Sequence, residues 1–132
     1  MKLKFDDEVR AKAVRAGARP GENIYAVAHC ALSYSQANDY GFVLLTDYSL
    51  KMVSVEEFDT YKIKDTFEIP YSGISNIKFS DRFYAKLIKF RYNGYKYILV
   101  LYKNAKYVSC QAENIDVILQ FFTNLNNMQR AS

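Results

Sequence analysis

The chain has 132 residues, half of them hydrophobic and 16% aromatic, which suits one domain with a continuous core and excludes a disordered chain. Its two cysteines, Cys30 and Cys110, form no CxxC pair and exclude a disulfide-built scaffold. No apolar run approaches the roughly 20 residues that a membrane span needs.

The net charge of +4 is unevenly spread. Residues 1–20 carry six Lys/Arg against three acids, residues 81–107 carry seven against one, and residues 47–68 carry six acids against three lysines. Such asymmetry bears on partners rather than on fold. Met1 to Glu8 lacks the apolar core of a secretory signal, so a cytosolic location is expected. Both cysteines are expected as buried free thiols on strands, although a bridge between them stays open.

Residues 4–17 read as a short amphipathic helix, with Phe5, Val9 and Val14 on its stripe and acids in its first turn. Gly17 stops it, and it is expected to pack on its own domain or on a sister subunit. Strands are expected at 24–33, 42–46 and 50–55, from alternating apolar and β-branched residues. The polar segment 56–65 either connects or extends the strands beside it. Phe67 to Pro70 and Ile74 to Phe79 follow, bent at Pro70-Tyr71-Ser72-Gly73. Phe83 to Tyr92 and Tyr95 to Tyr102 flank Asn93-Gly94, the strongest short hairpin signal in the chain. A last strand is expected over 107–112. From Asn114, read as an N-cap, the period changes to 3.6, and Ile115, Ile118, Leu119, Phe122 and Leu125 form one apolar stripe. Residues 129–132 read as a tail.

About seven antiparallel strands followed by one amphipathic helix resemble the pleckstrin-homology (PH) superfold. More specifically, the chain is similar to the bacterial PH-like domains of the YokE type, common in bacterial and prophage proteins. Three blocks carry the likeness: Pro20 to Ala28, Gly41 to Asp47 with Leu50, and Phe67 to Ile77. The family's Thr-x-x-Arg-Leu turn here reads Thr46-Asp47-Tyr48-Ser49-Leu50, without the arginine. The resemblance implies a mainly β barrel over residues 19–128, closed at its mouth by the C-terminal helix, with residues 1–18 as an added helix.

Chemistry is sparse. His29 is the only histidine, set mid-strand among small apolar residues, and it closes no triad or metal spacing with the two cysteines. The five glycines are scattered singly and make no phosphate loop. No catalytic, cofactor or metal residue is therefore expected. Leu32 to Gly41 contains no Lys or Arg, which argues against a specific phosphoinositide clamp at the first hairpin.

The expected role is a non-enzymatic module that binds a protein or peptide or assembles with itself, and a phage product directed at a host protein fits the same pattern. Both faces of the pair 83–102 read as apolar. The face carrying Lys86, Ile88, Phe90, Tyr92, Tyr95 and Tyr97, joined by the helix edge Val117, Phe121 and Met128, is the expected partner surface. The rival is single-stranded nucleic acid, because Lys86, Lys89, Arg91, Lys96, Lys103 and Lys106 interleave with Tyr84, Tyr92, Tyr95, Tyr97, Tyr102 and Tyr107.

Overall fold

A computed structural model describes residues 7–35, 37–56, 59–105 and 108–131. The elements are α1 (Asp7–Gly17), β1 (Ile24–Tyr34), β2 (Ala37–Thr46), β3 (Ser49–Glu56), β4 (Asp59–Pro70), β5 (Ser75–Asp81), β6 (Ala85–Tyr92), β7 (Tyr95–Tyr102) and α2 (Gln111–Ala131). The seven strands form one antiparallel sheet in the order β4-β3-β2-β1-β7-β6-β5. The segment 56–65 extends β3 and β4, with residues 57 and 58 outside the described part.

The sheet is open, which corrects the expectation of a closed barrel. β4 and β5 are its two edges, and no ladder joins them among the described residues. Between them the chain runs through Pro70, which has no N–H to give a ladder, and a 3₁₀ turn at Tyr71–Gly73. A tight hairpin is thereby ruled out at this junction.

The inner face carries the main core, built from every strand and from Ile115, Ile118 and Phe122 of α2. Phe90 and Phe122, both buried, meet with ring centroids 5.9 Å apart. On the outer face α1 lies across β1 to β4. Val9 and Ala13 pack there on Val27, Phe42, Leu44 and Val53. Strands β2 and β3 are thus buried on both faces, and Phe42-Val43-Leu44-Leu45 reads as a continuous apolar run. Gly41 is needed where β2 passes β3, because a Cβ there would lie 2.0 Å from the Val53 carbonyl oxygen. At the β6–β7 turn Asn93 and Gly94 take φ of 56° and 83°, as a type I′ turn requires. That turn fixes the register of Arg91 opposite Lys96.

The expected strand at 107–112 is absent as far as it is described: Lys106 and Tyr107 lie outside, Val108 to Cys110 turn, and Gln111 opens α2. Asn114 lies inside the first turns of that helix rather than capping it. The reason is in β1, whose ladder with β7 runs only from Cys30 to Tyr34. Side-chain amides from α2 take up the edge that β7 leaves. Gln111 Oε1 accepts the His29 N–H at 3.0 Å, and Asn114 Oδ1 accepts the Val27 N–H at 2.9 Å. At its other end α2 runs on to Ala131 rather than fraying at 129, and Gln129 Nε2 donates to the Ile74 carbonyl.

Cys30 is buried as expected, but Cys110 is exposed in the turn at φ 61°, and both are free thiols. Among the described residues, no helix is long and apolar enough to cross a membrane.

Candidate functional site

Polar side chains gather at several places among the described residues, and three of them bear on function. The first surrounds His29, on the outer side of β1, whose ring lies 5.0 Å from that of Tyr102 and 6.1 Å from that of Phe42. Burial holds its imidazole down to about 4, so it is neutral near pH 7. Among the described residues, no group of three His, Cys, Asp or Glu side chains could hold a metal ion. The Cys30 thiol is pushed well above its ordinary range by burial, which keeps it un-ionised and a poor nucleophile.

The second is a buried ion pair. The side chain of Glu22, in the turn after α1, is shielded from solvent, and that of Lys51 is 5% exposed. Glu22 Oε1 accepts from Lys51 Nζ at 2.5 Å and from the Arg19 N–H at 3.0 Å, while Oε2 accepts from the Thr46 hydroxyl at 3.0 Å. Lys51 Nζ also donates to the Gly17 carbonyl at 3.1 Å, satisfying a C-terminal carbonyl of α1. Burial works to raise the Glu22 pKa, but the donors from Lys51, Arg19 and Thr46 outweigh it and hold the carboxyl below its ordinary value. A groove of about 230 Å³ opens beside this pair, between Arg19, Thr66 and Glu68. Its cations are neutralised within the chain, Lys51 by Glu22 and Arg19 by Glu68 at 2.5 Å. The cluster fastens α1 to the sheet. Sequence gave Lys51 no such role, because a lysine in an alternating strand reads as solvent-facing.

The third is the outer face of β5, β6 and β7, which α1 does not reach. Lys78 lies directly opposite Lys89, and Arg91 directly opposite Lys96. Like charges facing each other across a ladder are destabilising, by a few tenths to about 1 kcal/mol per pair. With Asn76 these four cations line a groove of about 460 Å³. None of the four has a carboxylate within 4 Å among the described residues. Asn76 is brought to the groove by a bulge between Ser75 and Lys78, where it takes φ of 52°. A second groove of about 360 Å³ shares Arg91 and Lys96 and runs past Tyr95, Gly94 and Ile98 to Ser33 and Ser35 of the β1–β2 hairpin.

The partner surface expected from sequence is divided. Ile88, Phe90 and Tyr97 are buried in the inner core and so not available to a partner, while Tyr92 is half-buried against it. Phe90 and Tyr97 stack at 5.3 Å. Both faces of β6 are apolar enough to fill a core, and only its register with β5 and β7 selects the even-numbered residues. Lys86 is held by Asp81 at 2.8 Å, as is Lys103 at 2.6 Å. Hydrogen bonds from Lys103 and then Lys86 hold the Asp81 carboxyl down to about 2. Phe121 is half-buried against Tyr71, with centroids 4.5 Å apart. Val117, Met128 and Tyr95 do reach solvent, at 42%, 69% and 55% exposure.

Of the cations in the nucleic-acid reading, Lys89, Arg91 and Lys96 come together, Lys86 and Lys103 are paired elsewhere, and Lys106 lies outside the described residues, as does Tyr107. Lys78 and Asn76 were missed because the bulge that aligns them with Lys89 leaves no mark in the alternation.

No family model matches the chain, and no curated protein matches it. Among solved structures it is similar to the C-terminal domain of an unknown protein from Leishmania infantum. That likeness has a TM-score of 0.55 and 16% identity, and covers 86% of this chain and 94% of the other. At this identity the likeness is one of fold alone.

Proposed function

We propose that the chain is a non-enzymatic, PH-like binding module whose working surface is the outer face of β5 to β7, and that this surface takes a polyanionic partner. The PH-like part of the reading is supported by seven antiparallel strands followed by a helix packed over the inner core, although the ladder stays open between β4 and β5. One observation carries the binding part: two cross-strand pairs of like cations, Lys78 with Lys89 and Arg91 with Lys96, stand together with no carboxylate within 4 Å among the described residues. A sheet retains such pairs at a cost to its own stability, and a bound anion removes that cost. The basic groove on β3 makes the contrast, since its cations already hold carboxylates.

The test is retention on immobilised heparin as salt is raised. Lys89→Glu with Arg91→Glu should elute at markedly lower salt than wild type. Lys62→Glu with Lys64→Glu on β4, an equal change in net charge, should move elution much less. Equal shifts for the two double variants would reduce the effect to net charge and remove the site.

A second reading, contact with a protein or a second copy of the chain, is favoured by Val117 and Met128, which stay exposed on α2. Met128→Lys should then lower the mass seen by light scattering, and a monomer before and after would end it.

A further inference from the structure

We infer that the anion taken by this surface is compact, a triphosphate chain held across β5, β6 and β7 by Lys78, Lys89, Arg91 and Lys96. This rests on the polyanion reading above and goes further in naming the size and chemistry of the ligand. The register makes the patch small. Lys78 and Lys89 share one rung of the ladder, and Arg91 and Lys96 share the next rung on the same face. From Lys78 to Lys96 is two strand spacings across and one residue pair along, a diagonal of about 12 Å. The positions around it on that face are uncharged: Ser80 lies opposite Leu87, Leu87 opposite Val100, and Ile98 opposite Ser33.

That boundary decides between a short anion and a long one. A polymer laid over the patch meets these cations only along the diagonal. The rest of its length runs over neutral surface, so added length brings no added contact. A triphosphate tail instead brings its whole charge to the four cations, about −4 near pH 7 from two singly ionised groups and a more fully ionised end. The Arg91 guanidinium offers a fork for two phosphate oxygens, and the three lysines act as point charges. Asn76, set at the groove by its bulge, adds a neutral amide donor. An acidic peptide delivers less charge over the same diagonal, because carboxylates on one face of an extended chain recur only about every 7 Å. Nothing beside the cations holds a base. Tyr92 pairs with Tyr95 across the strands, and both share the opposite face with Tyr97 of the inner core. Recognition is therefore of the phosphate chain, whether free or carried on a nucleoside.

The experiment is calorimetric titration of the whole chain at low salt, without divalent cations. The probes are orthophosphate, inorganic tripolyphosphate, ATP, GTP and oligothymidylates of increasing length. Tripolyphosphate should bind about 25-fold tighter than orthophosphate, as two more cations are engaged at about fivefold each. ATP and GTP should bind alike and close to tripolyphosphate. Lys89→Gln with Arg91→Gln should lose about 25-fold in tripolyphosphate affinity, and Lys78→Gln with Lys96→Gln should lose as much. Lys62→Gln with Lys64→Gln on β4 should change it little. Orthophosphate as tight as tripolyphosphate overturns this inference while leaving the polyanion surface standing. So do oligothymidylates that keep tightening by more than the number of registers each added nucleotide supplies. A marked preference for ATP over both GTP and tripolyphosphate overturns it too, because recognition would then lie with the base. No salt-sensitive binding of any probe overturns both.

Discussion

The Gln111 side chain grips the backbone of His29 at both ends: its Oε1 accepts the His29 N–H at 3.0 Å and its Nε2 donates to the His29 carbonyl at 2.9 Å. The same Nε2 donates to the Tyr102 carbonyl at 3.1 Å. A helical side chain thereby completes the ladder at the point where β1 and β7 part, and ties the start of α2 to both strands.

Gln111→Leu should therefore cost more than one hydrogen bond, because it leaves a half-buried N–H and two carbonyls without this partner. The expected loss is about 2–4 kcal/mol. Urea denaturation should show a lower midpoint with an unchanged slope, and a loss below about 0.5 kcal/mol would mean that water replaces the amide.

The Glu22–Lys51 pair should behave as a buried charge pair does. Glu22→Gln alone strands the Lys51 ammonium and should cost about 3–5 kcal/mol, whereas Glu22→Leu with Lys51→Met should recover much of it. The pair also predicts acid sensitivity. Because the folded Glu22 carboxyl lies below its ordinary value of 4.5, its contribution is present above that pH and is lost as the pH falls through the lower folded value. Thermal melts between pH 5 and pH 3 should therefore fall more steeply for wild type than for the double variant.

His29 gives a separate window at higher pH. The unfolded chain takes up a proton near 6.5, and the folded chain only near about 4. Between those values the unfolded state holds more protons, so stability falls as the pH drops from 6.5 toward 4, by up to about 3 kcal/mol in all. His29→Phe should lack this segment. A wild-type denaturation midpoint equal at pH 7 and pH 5 would contradict it.

Gly41→Ala places a Cβ 2.0 Å from a backbone oxygen of β3 that cannot swing aside. The strand pair must separate, at about 3 kcal/mol or more. Gly94→Ala meets nothing within 4 Å and carries only the strain of φ 83°, so it should cost less, about 1–2 kcal/mol. Both glycines carry a positive φ, 156° at Gly41 and 83° at Gly94, so the excess loss at Gly41, read from thermal melts, reports the added collision with β3.

What the sequence determined by itself is what depends on neighbours in the chain. Alternation placed the strands, Asn93-Gly94 set one hairpin, and the 3.6 period of Ile115, Ile118 and Phe122 announced the final helix. Pro70 to Gly73 was legible as a bend, although not as the place where the ladder opens. The tertiary structure decided which face of each strand turns inward. Tyr84, Ile88, Phe90 and Tyr92 and the opposite set Phe83, Ala85 and Leu87 are both apolar, so pattern could not choose between them, and cross-strand register did. It also decided which charges stand alone. A lysine looks the same in sequence whether it meets Glu22, as Lys51 does, shares Asp81, as Lys86 does, or faces another lysine, as Lys89 does. Charge acts through distance in space, and pairing across strands sets that distance.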